Sequence, residues 1–148
     1  MDRVTAYLSA DVPASFVPTI MHGDYHMFNV MIAPEPPGRV VAIVDWETAT
    51  IGDPLLDLVG FCELWGSAAP APEWPGREEL IARYRSRRSV EIPESLDYYS
   101  VLYNFRMSVL LEGIYQRSRH DPSRLDVAQM GETAMGFLER ATAIVDAT

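Results

Sequence analysis

His22-Gly23-Asp24-Tyr25-His26-Met27-Phe28-Asn29 is answered, after two apolar runs, by Asp45-Trp46-Glu47. The spacing of these two segments sets the fold. Four residues separate Asp24 from Asn29, and Asn29 leads into the apolar run Val30-Met31-Ile32-Ala33. Pro34 to Gly38 supplies a turn rich in Pro and Gly, and a second apolar run, Val40-Val41-Ala42-Ile43-Val44, delivers Asp45 at its end. Two β-branched runs joined by such a turn read as an antiparallel hairpin. Asn29 at the start of one strand and Asp45 at the end of the other then lie side by side. An amide oxygen beside a carboxylate is a hard-oxygen pair suited to Mg²⁺ carrying a phosphate. Asp24, on the loop just before, reaches the same space and can take a proton from a hydroxyl. These are the parts that phosphoryl transfer requires of the floor of its site.

The order H-G-D-x-x-x-x-N, hairpin, D-W-E and then G-D-P-x-x-D-L resembles the aminoglycoside phosphotransferase and choline kinase superfamily. The matching residues are His22-Gly23-Asp24, Asn29, Asp45-Trp46-Glu47, Gly52-Asp53-Pro54 and Asp57-Leu58. Tyr103-Asn104-Phe105-Arg106-Met107 and Glu112-Gly113-Ile114-Tyr115 are similar to the branch associated with acyl-CoA dehydrogenases. The resemblance implies the C-terminal lobe of a protein-kinase-like fold. It makes Asp24 the catalytic base, Asn29 and Asp45 the ligands of Mg²⁺, and ATP or GTP the phosphate donor. The acceptor it implies is a small molecule with a hydroxyl, such as a hydroxyacyl-CoA or an aminoglycoside-like compound.

Lysine is absent, and all twelve Lys+Arg positions are Arg. Kinases of this kind hold the nucleotide phosphates with a lysine on an N-terminal strand, beneath a Gly-rich turn. Neither occurs here, and about twenty residues precede the His-Gly-Asp motif. The expectation is therefore a C-terminal lobe whose N-terminal lobe is absent, inactive alone. It would expose Met27, Phe28 and Trp46 and pair with itself or with a separate N-lobe.

A chain of 148 residues with 48% apolar composition suits one domain and buries ~70% of its unfolded surface. The expected division is catalytic loop and hairpin over 19–47 and a helical subdomain over 53–148. A net charge of −9 repels nucleic acid. The one cysteine, Cys62, excludes an internal disulfide and fits a cytoplasmic setting. No apolar run of membrane-spanning length occurs, because Arg106 and Glu112 interrupt the longest candidate.

Read for elements, the chain opens with a short helix ending near Ser9 and a Pro-punctuated linker. Strand 19–22 and the hairpin follow. Asp53 caps a helix that has Pro54 in its first turn and runs through Leu64. A loop spans Gly66 to Gly76, and helices follow over about 77–87, 94–119 and 123–147. The class is α+β with helices dominant.

Each candidate has a plainer alternative. His22 reads as a structural imidazole that holds the Asp24 loop. Glu47 reads either as a support for the metal or as a solvated carboxylate. Asp53 reads as a helix cap, and Asp57 as an anchor for the loop's N–H groups. The run Arg83, Arg85, Arg87, Arg88 reads as a solvated helix face, with an anion site as the alternative. A metal-dependent hydrolase could use His22, Asp24 and His26, which alternate along an extended strand; His120 lies far along the chain. A non-catalytic, partner-binding lobe is the third reading.

Overall fold

The computed structural model describes residues 1–14, 16–68, 73–88, 92–119 and 129–148. Their elements are α1 (Asp2–Ala10), β1 (Thr19–Met21), β2 (Val30–Ile32), β3 (Val40–Ile43), β4 (Thr50–Gly52), α2 (Leu55–Ala68), α3 (Arg77–Arg87), α4 (Asp97–Ser118) and α5 (Met130–Ala147). Short 3-10 turns occupy Met27–Asn29 and Trp46–Thr48. The class is α+β and mostly helical, with two small antiparallel sheets. Among the described residues, no helix is long and apolar enough to cross a membrane.

The chain forms two compact units, one of residues 1–14 with 95–148 and the other of residues 15–94. In the first, α1, α4 and α5 surround Val4, Val101 and Ala141, all without exposed surface. Tyr7, Leu8, Phe105, Ile144 and Val145 close around them. Small side chains let α4 and α5 approach; a Cβ on Gly131 would meet the Tyr115 ring at 3.1 Å. Asn104, fully buried on α4, donates to the Ser100 carbonyl at 2.8 Å and accepts from Arg140 Nε at 3.1 Å. A buried amide left unpaired is costly, and these two bonds remove that cost.

The second unit carries the motif. β2 and β3 pair antiparallel with Val30 opposite Ile43 and Met31 opposite Ala42, and a register shift follows at Ile32. β1 pairs with β4 rather than with the hairpin, Thr19 opposite Gly52 and Ile20 opposite Ile51. β4 is too short, at three residues, to announce itself by alternation.

α2 continues through Gly66 to Ala68, beyond the expected stop at Leu64. A lone helical glycine costs only about 1 kcal/mol, and Trp65 secures this end by stacking on Phe61 and donating to the Pro75 carbonyl at 2.8 Å. α4 begins at Asp97 rather than Glu94, where the Ser95 hydroxyl accepts the Asp97 N–H at 3.0 Å. Of the last expected helix, residues 123–128 fall outside the described residues, as do His120 and residues 69–72.

Candidate active site

Extended backbone from β1 ends at His22, which is 3% exposed. Its ring spans two neighbours. Nε2 donates to the Val44 carbonyl at 2.8 Å, because a carbonyl oxygen can only accept. That fixes the proton on Nε2 and leaves Nδ1 to accept the Asp24 N–H at 3.3 Å. One neutral imidazole thus joins the end of the hairpin to the loop. Asp57, in the first turn of α2, accepts the N–H groups of His22 and Gly23 through its two carboxylate oxygens, at 2.6 and 2.9 Å. Thr48 Oγ1 donates to the His22 carbonyl at 3.0 Å. Gly23 sits at φ +82°, and a Cβ there would collide with the Thr48 carbonyl. Only glycine fits this corner.

The chain then turns through the 3-10 segment, and the Asn29 N–H donates to the His26 carbonyl at 3.0 Å. The Asn29 amide is oriented by its own bond: Nδ2 donates to the Asp24 carbonyl at 3.0 Å. The opposite end of the amide, Oδ1, is therefore the end that can meet a cation. Asp24 Oδ2 lies 3.5 Å from His26 Nε2, and a third of the Asp24 side chain reaches solvent. His26 Nδ1 is buried with no hydrogen-bond partner among the described residues.

Asn29 faces Val44 across the hairpin, accepting its N–H at 3.0 Å, which puts Asp45 one residue past that pairing. Asp45 adopts a left-handed backbone, φ 65° and ψ 57°, the one non-glycine residue with positive φ among those described. Such a conformation is costly for most residues, least so for Asp and Asn. It precedes a turn that Asp45 does not cap with its side chain. Trp46 is anchored by its indole N–H to the Ile43 carbonyl at 2.8 Å and packs on His22 at 4.7 Å between ring centres. Asp45 and Glu47 are exposed, and Asp53 Oδ1 caps α2 by accepting the Leu55 N–H at 3.0 Å.

A matched sequence model of the phosphotransferase enzyme family covers residues 1–99. The chain belongs to this family. Curated relatives include mouse acyl-CoA dehydrogenase family member 10, 27% identical over 80% of this chain and 12% of that protein. Human acyl-CoA dehydrogenase family member 11 is 30% identical over 79% of the chain and 16% of that protein. The chicken protein of that name is 29% identical over 79% and 17%. The chain thus spans less than a fifth of the length of the curated relatives it matches.

Asn29 Oδ1 and the Asp45 carboxylate are hard oxygens of the kind Mg²⁺ takes, so the residues present fit that ion. Among the described residues, no three His, Cys, Asp or Glu side chains gather as a metal cluster. The hydrolase trio His22, Asp24 and His26 is not such a cluster, and both ring nitrogens of His22 are committed to backbone. The roles of Thr48 and of the Val44 carbonyl escape a motif reading, because neither carries a distinctive spacing. Tyr25 carries no such signal either; its ring stacks on Phe61 at 5.4 Å, and burial, then the Asp57 charge, pushes its hydroxyl above its ordinary pKa.

Proposed function

We propose that this chain is the C-terminal lobe of a small-molecule kinase of the phosphotransferase family, transferring the γ-phosphate of ATP or GTP to a substrate hydroxyl. The observation that carries the reading is the locked loop: the Asn29 amide is oriented by the Asp24 carbonyl while Asp57 and His22 hold the backbone around it. Asp24 accepts the hydroxyl proton and aims the oxygen at the phosphorus. Asn29 and Asp45 hold Mg²⁺, which when bound neutralises charge on the phosphates. Family membership supports phosphotransfer, and the acyl-CoA dehydrogenase names of the relatives favour a hydroxyacyl-CoA acceptor over an aminoglycoside.

The isolated 148-residue chain is proposed to be inactive, since it lacks the lysine and Gly-rich turn that position the donor and neutralise its charge. Apolar side chains exposed around the motif, with Phe28 at 75% and Trp46 at 48%, favour a pairing surface, filled by a second copy or a separate N-lobe.

Phosphorus NMR of the purified chain with Mg·ATP and hydroxylated acceptors tests this. Negligible transfer is expected, with turnover restored when a Lys-bearing N-lobe is supplied and reduced by about 10²–10⁴ in Asp24→Asn. Restored turnover indifferent to Asp24→Asn contradicts the assigned base. Strong turnover by the isolated chain, lost in Asp24→Asn, contradicts only the proposed inactivity.

A further inference from the structure

A cavity in the unit of residues 15–94 is lined without Asp24, Asn29 or Asp45. It measures about 300 Å³ and is open on one side. Five of its lining side chains carry aromatic rings: His22, Tyr25, Trp46, Phe61 and Tyr84. Four of them pack on one another, Trp46 against His22 at 4.7 Å and Tyr25 stacked on Phe61 at 5.4 Å. A concave wall of fixed aromatic rings is complementary to a flat aromatic body, through stacked or edge-on contacts.

The cavity's two charged residues differ in what they leave free. Asp57 lines it, but both its oxygens are already occupied by the His22 and Gly23 N–H groups. Arg88, just past the end of α3, is the one cation among the lining residues. Its exposed guanidinium lies 5.8 Å from the Tyr84 ring centre. A planar guanidinium beside a ring suits a carboxylate attached to an aromatic body, by paired hydrogen bonds and stacking together. The volume lies at the lower end of ligand pockets and holds one or two fused rings.

We propose that this cavity is a binding site for a planar mono- or bicyclic aromatic carboxylate, distinct from the phosphotransfer floor in leaving out Asp24, Asn29 and Asp45, and sharing with its supports His22, Tyr25, Trp46 and Asp57. The rings of Tyr25, Phe61 and Tyr84 take the flat body, and Arg88 takes the carboxylate.

Titration of the methyl-labelled chain with 2-naphthoate, followed by NMR, tests the site. Saturable one-to-one shifts are expected at Ile20, Ile43 and Leu58. Arg88→Gln, at an exposed position, should weaken 2-naphthoate about tenfold while leaving the uncharged 2-naphthalenemethanol unchanged. Leu58→Trp, which fills the cavity, should abolish both. Asp24→Asn should alter neither, which separates this site from the phosphotransfer reading. Shifts that never saturate, acid and alcohol binding equally well, indifference to Arg88→Gln, or loss of binding in Asp24→Asn would each overturn the proposal.

Discussion

Asp57 holds His22 from 35 positions away, its carboxylate accepting the His22 N–H at 2.6 Å while its other oxygen accepts that of Gly23 at 2.9 Å. Two N–H groups converging on one carboxylate cannot be matched by an amide, whose nitrogen end would face a donor. Asp57→Asn is therefore expected to lower stability by about 2–3 kcal/mol, since hydrogen bonds to charged groups are strong and an orphaned donor is costly. Urea unfolding measures it. A loss below about 0.5 kcal/mol would deny the anchor its role.

Glycine substitutions should split in sign. Gly23→Ala places a methyl against the Thr48 carbonyl in a left-handed backbone, and should cost about 1–3 kcal/mol or more. Gly66, inside α2, has nothing within 4 Å of the place a methyl would take, and should gain about 0.5–1 kcal/mol on change to Ala. Paired thermal melts of the two variants decide this, and shifts in the same direction would contradict it.

How much of the structure is legible in the sequence follows from the range of the interactions. The hairpin is readable because two β-branched runs flank a Pro-Gly turn, and α3 because its residues lie between clear breakers. β4 is not, since its three residues gain strand character only by pairing with the distant β1, in the register Ile20 to Ile51. The overrun of α2 past Gly66 depends on Trp65 reaching Pro75, a contact beyond the reach of helical periodicity. At the site, residue types and spacing point to Asp24, Asn29 and Asp45. The left-handed backbone of Asp45 and the tautomer of His22 arise from neighbours brought in by folding, and motif spacing carries neither.

Cys62 is 2% exposed. Burial pushes its thiol up to about 11, with Arg77 opposing the rise and Glu63 and Glu78 adding to it. The unfolded thiol ionises near 9, so between about 9 and 11 the unfolded chain binds fewer protons than the folded one. Stability should therefore fall as pH rises through that window, with a shallower decline in Cys62→Ala. Urea midpoints across the range check the slope. Iodoacetamide should label the native thiol slowly at pH 8 and the unfolded thiol quickly; equal rates would contradict the burial.

Ile20 and Ile51 are cross-strand partners and remain 75% and 73% exposed. An exposed apolar pair of that kind, in the unit that also exposes Phe28, favours association. Sedimentation velocity over a wide concentration range should show mass rising with concentration, and Ile20→Lys with Ile51→Lys should suppress the rise through like-charge repulsion between copies. A single monomeric species throughout would contradict pairing with a second copy.

The proposed phosphotransfer requires Asn29 and Asp45 to present oxygen to one divalent cation beside Asp24. Adding Mn²⁺ to the isotope-labelled chain and recording which NMR signals broaden first tests this most directly. The signals of Asn29, Asp45 and Asp24 are expected to broaden ahead of all others, and the effect should vanish in Asn29→Ala and Asp45→Ala while Mg²⁺ reverses it. Broadening centred elsewhere, or unchanged in both variants, would contradict the assignment.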